Sequence, residues 1–275
     1  RVVIAMQDPN PLVAGQGIAC LKAAGIEIIC GVLESDARRL NCGFVSRMEQ
    51  NRPFVRLKMA SSLDGRTALN NGISRWISGP QARQDVQRLR ARSSAILTSV
   101  RTVIDDDPSL NVRLSKAELG QTREVRQPVV VVVDSQLLLT GEEKIFSTGA
   151  DVRVYTASHN TRLRARLEAS GAEVIGLGDS SNAQVDLKKM MTHLASREIN
   201  EIHTECGQKL AGALIMQGLV DEIILYMAPN LLGSQARGLV VLDEITEMNA
   251  RVNCRFEEVR KIGEDLRLTL KLEKV

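Results

Sequence analysis

A chain of 275 residues with 44% hydrophobic and 25% charged residues has an ordinary globular composition and length for one or two domains. Its net charge of +3 is spread over 36 scattered basic residues, which speaks against a nucleic-acid binder and leaves anionic small molecules open as ligands. No apolar run approaches the roughly 20 residues of a membrane span. Five cysteines without a C-x-x-C pair point to a reducing cytosol, and three histidines without ligand spacing argue against a zinc site.

The chain opens at Arg1 and enters a strand-like run at once, as expected where a beginning is missing and no signal peptide is present. The pattern predicts a strand over Val2–Met6, a helix over Val13–Ala24, a strand over Glu27–Val32 and one helix over Ser35–Glu49. Gly25 stands where a helix C′ glycine belongs. One such unit is small for an independent core, so it either packs on the rest or ends a larger upstream domain. Asn51-Arg52-Pro53 is the expected junction, because Pro53 can begin a strand but not sit inside one.

Beyond it, a strand is expected over Phe54–Ala60, and Gly79-Pro80 opens a helix to about Arg92. Strands follow at Ser94–Ser99 and Val129–Asp134, the latter a valine run typical of a strand covered on both faces. Next come a strand Val152–Thr156, a helix Thr161–Ser170, a strand Glu173–Gly176 and a helix Ala183–Ser196. A strand Glu201–Thr204, a helix Lys209–Gln217 and a strand Glu222–Ala228 continue the alternation. Cys254–Lys261 and Leu266–Leu272 flank Gly263-Glu264-Asp265 as an antiparallel hairpin. The sum is α/β: a mainly parallel sheet finished by a hairpin.

Three stretches could carry chemistry. In "EIHTECGQKLAGAL" a strand ends at Glu205, Gly207 turns the chain and a helix begins near Gln208. Free N–H groups at such a start suit a phosphate, and Gly212 would let the helix lie close to the sheet. A plain β-α turn reads equally well, since the G-x-G-x-x-G fingerprint is absent. Glu205, at a strand's C-terminal end, could bond a sugar hydroxyl or assist proton transfer, or be a surface carboxylate.

"TVIDDDPSLNVR" reads as a solvated turn or helix stop, yet Arg113 follows it and Arg90 precedes it. Two guanidinium groups at one mouth could grip a phosphate. Lys58 shares a strand face with Arg56, opposite Val55, Leu57 and Met59. It could charge a pocket and shift its pKa, or merely snorkel.

The runs K-x-A-x-S-L-D-G-R-T-A, S-x-W-I, D-V-Q-x-L-R, D-D-P-x-L-x-x-R, V-V-D-S, E-x-G-x-x-L-A-G-A-L, G-L-V-D-E and A-P-x-L-L-G follow in order from residue 54 to about 240. With them the chain resembles the reductase half of the bifunctional riboflavin-biosynthesis deaminase/reductase of the RibD type. Residues 1–51, with D-P-N-P-x-V-x-G-x-G, resemble the tail of that family's cytidine-deaminase-like domain. Its H-A-E and P-C-x-x-C motifs are not in this chain, so zinc would belong to the absent part alone.

The resemblance implies a dihydrofolate-reductase-like fold over 52–275 and an NADPH-dependent reaction. That reaction reduces the ribosyl group of 5-amino-6-(5-phosphoribosylamino)uracil, in a cytoplasmic homodimer or higher homo-oligomer. By motif, Ser74, Arg90, Leu110, Arg113 and Glu205 would contact this phosphoribosylaminopyrimidine. Ala60, Trp76, Ser78, Thr102, Asp106 and Ser135 would hold NADPH. So would the turn Gly207, Gln208, Lys209, Leu210, Ala211, Gly212 and Ala213. Lys58 and Glu205 are the candidates for proton handling. The turn departs from the commoner E-G-G-P or E-A-G-P form at Cys206 and Gln208, which a backbone-binding turn should tolerate. A related pteridine or pyrimidine reductase, or a silent NADPH-binding subunit, are the rival readings.

Overall fold

The computed structural model describes every residue except Arg75, 179–182 and 274–275. In chain order its elements are β1 (Val2–Ile4), α1 (Gln16–Ala23), β2 (Ile28–Cys30), α2 (Glu34–Leu40), α3 (Cys42–Gln50), β3 (Phe54–Ser62), β4 (Arg66–Ala68), α4 (Pro80–Arg92), β5 (Ala95–Ser99), α5 (Val100–Asp106) and β6 (Val129–Val133). There follow β7 (Val152–Thr156), α6 (Thr161–Ala169), β8 (Ala172–Gly176), α7 (Leu187–Ser196), β9 (Glu201–Glu205), α8 (Gln208–Met216), β10 (Glu222–Ala228), β11 (Arg237–Gly238), β12 (Cys254–Ile262) and β13 (Asp265–Leu272). The chain divides into two compact units, residues 1–54 with 191–201, and residues 55–190 with 202–275.

In the first unit β1 and β2 pair in parallel, Val2 opposite Ile28. Gly25 has φ +73, the left-handed C′ position expected of it. The single helix expected over Ser35–Glu49 is instead α2 and α3, parted at Asn41. The Asn41 side chain donates to the Ala37 carbonyl at 3.0 Å, and its backbone leaves helical values at φ −110°. A side-chain amide that competes for a helix carbonyl is a good stop signal. Helix α3 lies directly on the backbone at residue 200: a Cβ on Gly43 would stand 2.9 Å from the Asn200 carbonyl oxygen.

The second unit holds a nine-stranded sheet in the order β12-β13-β10-β3-β9-β5-β6-β7-β8. From β10 to β3, and from β9 through β8, the paired strands run parallel, while β13 joins β10 and β12 antiparallel. This is the α/β sheet with a terminal hairpin that the alternation predicted. Valines 130, 132, 152 and 154, with Ile96 and Leu167 of α6, form a core on one face. Leu97 and Val131 are fully buried on the other, as their unbroken apolar runs require. Helix α4 packs Ala82, Val86 and Leu89 on Ile224 and Tyr226. Asp85 ties it further to Tyr226 Oη at 2.6 Å and to Arg267 at 2.9 Å. β9 is the last strand inserted between β3 and β5, so the strand order reverses there. Open α/β sheets bind ligands at such a switch, beyond the carboxyl ends of the strands.

Three elements escaped the sequence. β4 and β11, an antiparallel pair of three and two residues, are too short to show alternation. The stretch read as a solvated turn or helix stop is the latter: it ends α5, which begins after Ser99, whose Oγ accepts from Thr102 N at 3.4 Å, and stops at Asp107 with φ +40°. Asp265, assigned to the hairpin turn, is instead buried at the start of β13, where its carboxylate accepts at 2.7 Å from the backbone N of Gly79, the residue that precedes α4.

Gly212 also differs from expectation. It gives α8 close contact not with the sheet but with the segment after β11: an added Cβ would overlap the Val241 carbonyl, and Val241 N bonds Gln208 O at 3.1 Å. An exposed helix glycine gains about 0.5–1 kcal/mol on replacement by alanine. Here the overlap reverses the sign, and Gly212→Ala is expected to destabilise by about 1–3 kcal/mol. The midpoint of urea unfolding measures it.

Candidate active site

Where the parallel strands end, the second unit opens into a cleft of about 1770 Å³. That is larger than the roughly 300–1,000 Å³ of an ordinary small-molecule pocket, and it offers room for two ligands. The loops after β5, β6 and β9 form one wall, α4 another, and the 69–79 loop with β11 the rim.

On its floor, Glu205 ends β9 and takes both forks of Arg90 from α4, Nε to Oε1 at 2.6 Å and Nη2 to Oε2 at 3.0 Å. Arg90 spends its remaining arm on the Asn111 carbonyl at 3.0 Å. Burial works against the Glu205 charge, but Arg90 outweighs it and holds the carboxyl well below the usual range. Lys58, half-buried on β3, sets its ammonium 6.0 Å from the centre of the Tyr226 ring. Burial lowers its pKa; the Glu205 charge opposes that shift and Arg90 adds to it. His203, two residues before Glu205, is fully buried with Nε2 3.4 Å from Glu205 Oε1, and among the described residues neither ring nitrogen makes a well-directed hydrogen bond. Burial lowers its pKa too, so it stays neutral. In the sequence the histidines are weighed only as zinc ligands and His203 is missed, although a spacing of two on one strand puts it on the same face as Glu205.

Arg90 stands in the cleft, and its contacts to Glu205 and Asn111 take three of its five N–H donors, leaving two for the phosphate grip expected of it. Arg113 is exposed, and among the described residues its side chain makes one 3.5 Å contact, to Asn111 Oδ1. Its loop is pinned by two residues the sequence reading missed. Gln87 Oε1 accepts from Arg113 N at 2.8 Å, and Gln127 bonds both backbone groups of Val112 at 2.8 and 3.2 Å. Leu110, at φ +48° and 2% exposed, anchors the same loop.

All three consecutive aspartates line the cleft; Asp105 pairs with Arg101 at 2.9 Å and Asp107 with Lys144 at 2.9 Å. Asp134, at the end of the valine run, is structural: it is fully buried and accepts from Leu138 N and Leu139 N. Its neighbour Ser135 lines the cleft and accepts from Val185 N at 3.2 Å.

The turn after β9 begins α8 as expected. Gly207 is its N-cap and has no side chain to cap the helix. A Cβ on Gly207 would come 4.0 Å from Thr102 Oγ1, so the turns after β5 and β9 lie side by side. Gly207, Gln208, Lys209, Leu210 and Ala213 line the cleft; Ala211 and Gly212 are buried away from it. Ala60, Ser74 and Ser78 line it as well. Trp76, the only tryptophan, is 69% exposed at the rim with Arg83 stacked 4.5 Å from its ring centre. A helix start with a glycine N-cap beside a hydroxyl and a lysine suits a diphosphate, and an exposed indole suits a planar ring. The residues present thus fit a dinucleotide.

The chain is similar to known proteins over nearly its whole length. A family described as "RibD C-terminal domain" matches residues 53–268. "Riboflavin biosynthesis protein RibD" of Escherichia coli is 42% identical over 275 residues, 98% of this chain and 74% of that protein. Its Haemophilus influenzae counterpart is 43% identical over 98% of this chain and 72% of its own length. Among solved structures, Acinetobacter baumannii RibD superposes with a TM-score of 0.88 at 38% identity, over 99% of this chain and 73% of that one. A "diaminohydroxyphosphoribosylaminopyrimidine deaminase/5-amino-6-(5-phosphoribosylamino)uracil reductase" from Thermotoga maritima gives 0.82 at 28% identity, over 98% and 71%.

Proposed function

The chain belongs to the RibD C-terminal domain family, a reductase domain of riboflavin biosynthesis, and we propose that its cleft uses NADPH to reduce the ribosyl group of 5-amino-6-(5-phosphoribosylamino)uracil to ribityl. The observation that carries this reading is the Lys58, Arg90 and Glu205 cluster on the cleft floor, beside the start of α8 at Gly207.

When bound, NADPH supplies a hydride. Its diphosphate would lie on the amides after Gly207, between Thr102 and Lys209, with Asp106 and Ser135 toward the adenosine end and Trp76 over a ring. Ser74 and Arg113 would hold the sugar and its 5′-phosphate. Lys58 would protonate the ring oxygen as the C1′–O4′ bond opens. The exocyclic nitrogen then shares its lone pair with C1′ and leaves an iminium carbon for the hydride. Glu205 enters this chemistry as a fixed charge rather than a proton carrier, because a carboxylate held by a bidentate arginine stays ionised at working pH. Positioning and preformed charge are thus the protein's share of the catalysis.

Residues 1–51 are assigned to the end of a deaminase domain. The chain covers only about three quarters of the relatives it matches, and zinc and deamination belong to the remainder. A cytoplasmic homodimer or larger homo-oligomer completes the proposal.

The test mixes the chain with NADPH and the deaminated phosphoribosylaminopyrimidine and follows the nicotinamide absorbance. Oxidation is expected only with both present, and NADPH alone should quench Trp76, the sole indole. Quenching without oxidation would indicate a silent nucleotide-binding subunit. Oxidation with dihydrofolate instead would indicate a different pteridine reductase.

A further inference from the structure

Five arginines border the cleft among the described residues, and they differ in what holds them. Arg83 donates to the Ser78 carbonyl at 2.7 Å and covers Trp76. Arg90 pairs with Glu205, and Arg101 with Asp105. Arg113 has a single long contact. Arg237 has no hydrogen bond or ion pair from its side chain to any described residue.

Its backbone, by contrast, is fixed. Arg237 pairs with Ala68, and Thr67 Oγ1 and Arg66 Nη1 hold the carbonyls of Gly238 and Ala236 on either side. Asp64 accepts from Leu232 N and Gly233 N and pins the approach to β11. The guanidinium rests over the turn of the rim loop closed by Gly72 N to Leu69 O and Leu69 N to Ile73 O. A Cβ on Gly72 would stand 3.1 Å from Arg237 Nη2, and Gly72 has φ +92°. Glycine therefore leaves the space that the arginine fills, two residues before Ser74.

We infer that Arg237 binds the 5′-phosphate of the ribosyl substrate, a role that rests on the function proposed above. A phosphate dianion is best held by more than one guanidinium. Arg90 is paired with Glu205 and Arg83 lies on Trp76, which leaves Arg113 to face it. Arg237 is the other cleft arginine whose side chain is engaged by neither a carboxylate nor a ring, and its forked donors stand beside Gly72, two residues from Ser74. No motif marks it in the sequence, because a two-residue strand brings it to the rim.

The experiment is calorimetric titration of the full chain with ribose 5-phosphate and with ribose, for wild type, Arg237→Met and Arg237→Lys. Arg237→Met should weaken ribose 5-phosphate by about 10- to 100-fold, the range of a lost charge-assisted hydrogen bond, and leave ribose unaffected. Arg237→Lys should fall between, since it keeps charge but not the fork. KM for the phosphorylated substrate should rise by a similar factor, with a smaller change in kcat. Because Arg237 is exposed, equal thermal midpoints are expected. If Arg237→Met binds ribose 5-phosphate as wild type does, or instead weakens the quenching of Trp76 by NADPH, the inference is wrong and the function stands. A wild-type chain that ignores ribose 5-phosphate would overturn both.

Discussion

Lys58→Met is expected to slow single-turnover NADPH oxidation by about 10²–10⁴-fold, the usual contribution of a positioned acid, while NADPH still quenches Trp76 with near wild-type affinity. The separation follows from placement. Lys58 is on β3 at the cleft floor, whereas the amides after Gly207 belong to the α8 turn. The pH dependence carries the same assignment. A proton donor must be charged, so activity should be full below the Lys58 pKa and fall as pH rises through it. Burial lowers that pKa, and the alkaline limb should therefore lie below the ordinary lysine range. Lys58→Arg, which stays protonated at every accessible pH, should remove the limb even if it turns over slowly. Turnover of Lys58→Met within a few-fold of wild type would exclude Lys58 as the donor.

Arg90→Met should be among the most damaging substitutions in the second unit. The pair is little exposed, 8% for Arg90 and 16% for Glu205, and removing one partner strands a buried charge at a cost of about 3–5 kcal/mol. In wild type the folded Glu205 pKa is depressed, so its contribution is present above the unfolded carboxylate pKa and is lost as pH falls through the folded value. Without Arg90, burial is opposed only by His203, and the folded pKa should rise. The stability deficit of the variant should then shrink as pH falls from that raised value toward the ordinary carboxylate range. Urea midpoints for both proteins at neutral and mildly acidic pH give the difference directly. Adding Glu205→Gln to Arg90→Met should restore part of the loss by removing the stranded charge. A deficit that does not change with pH, or a double variant no better than the single, would show that the pair is not what stabilises this floor.

Much of the architecture was written locally. The valine run at 129–133, the Gly79-Pro80 helix start, the Gly25 stop and the hairpin around Gly263 are short-range signals, and the elements formed there. So were Glu205 and Gly207 as the end of a strand and the cap of a helix. Backbone sterics and side-chain periodicity act over a few residues, and one chain displays them without help. What stayed hidden depends on partners far away along the chain. Asp265 reads as a turn residue until Gly79, just before α4, donates to it, and β4 and β11 exist only because each supplies the other's ladder. Arg90 looks like a free phosphate ligand until Glu205, 115 residues later, takes two of its donors. The linear order thus determined which elements form and which side chains could do chemistry. Sheet order and packing alone decided which charges neutralise one another and which, like Arg237, are left facing the cleft, because Coulomb attraction and desolvation depend on distance in space and not along the sequence.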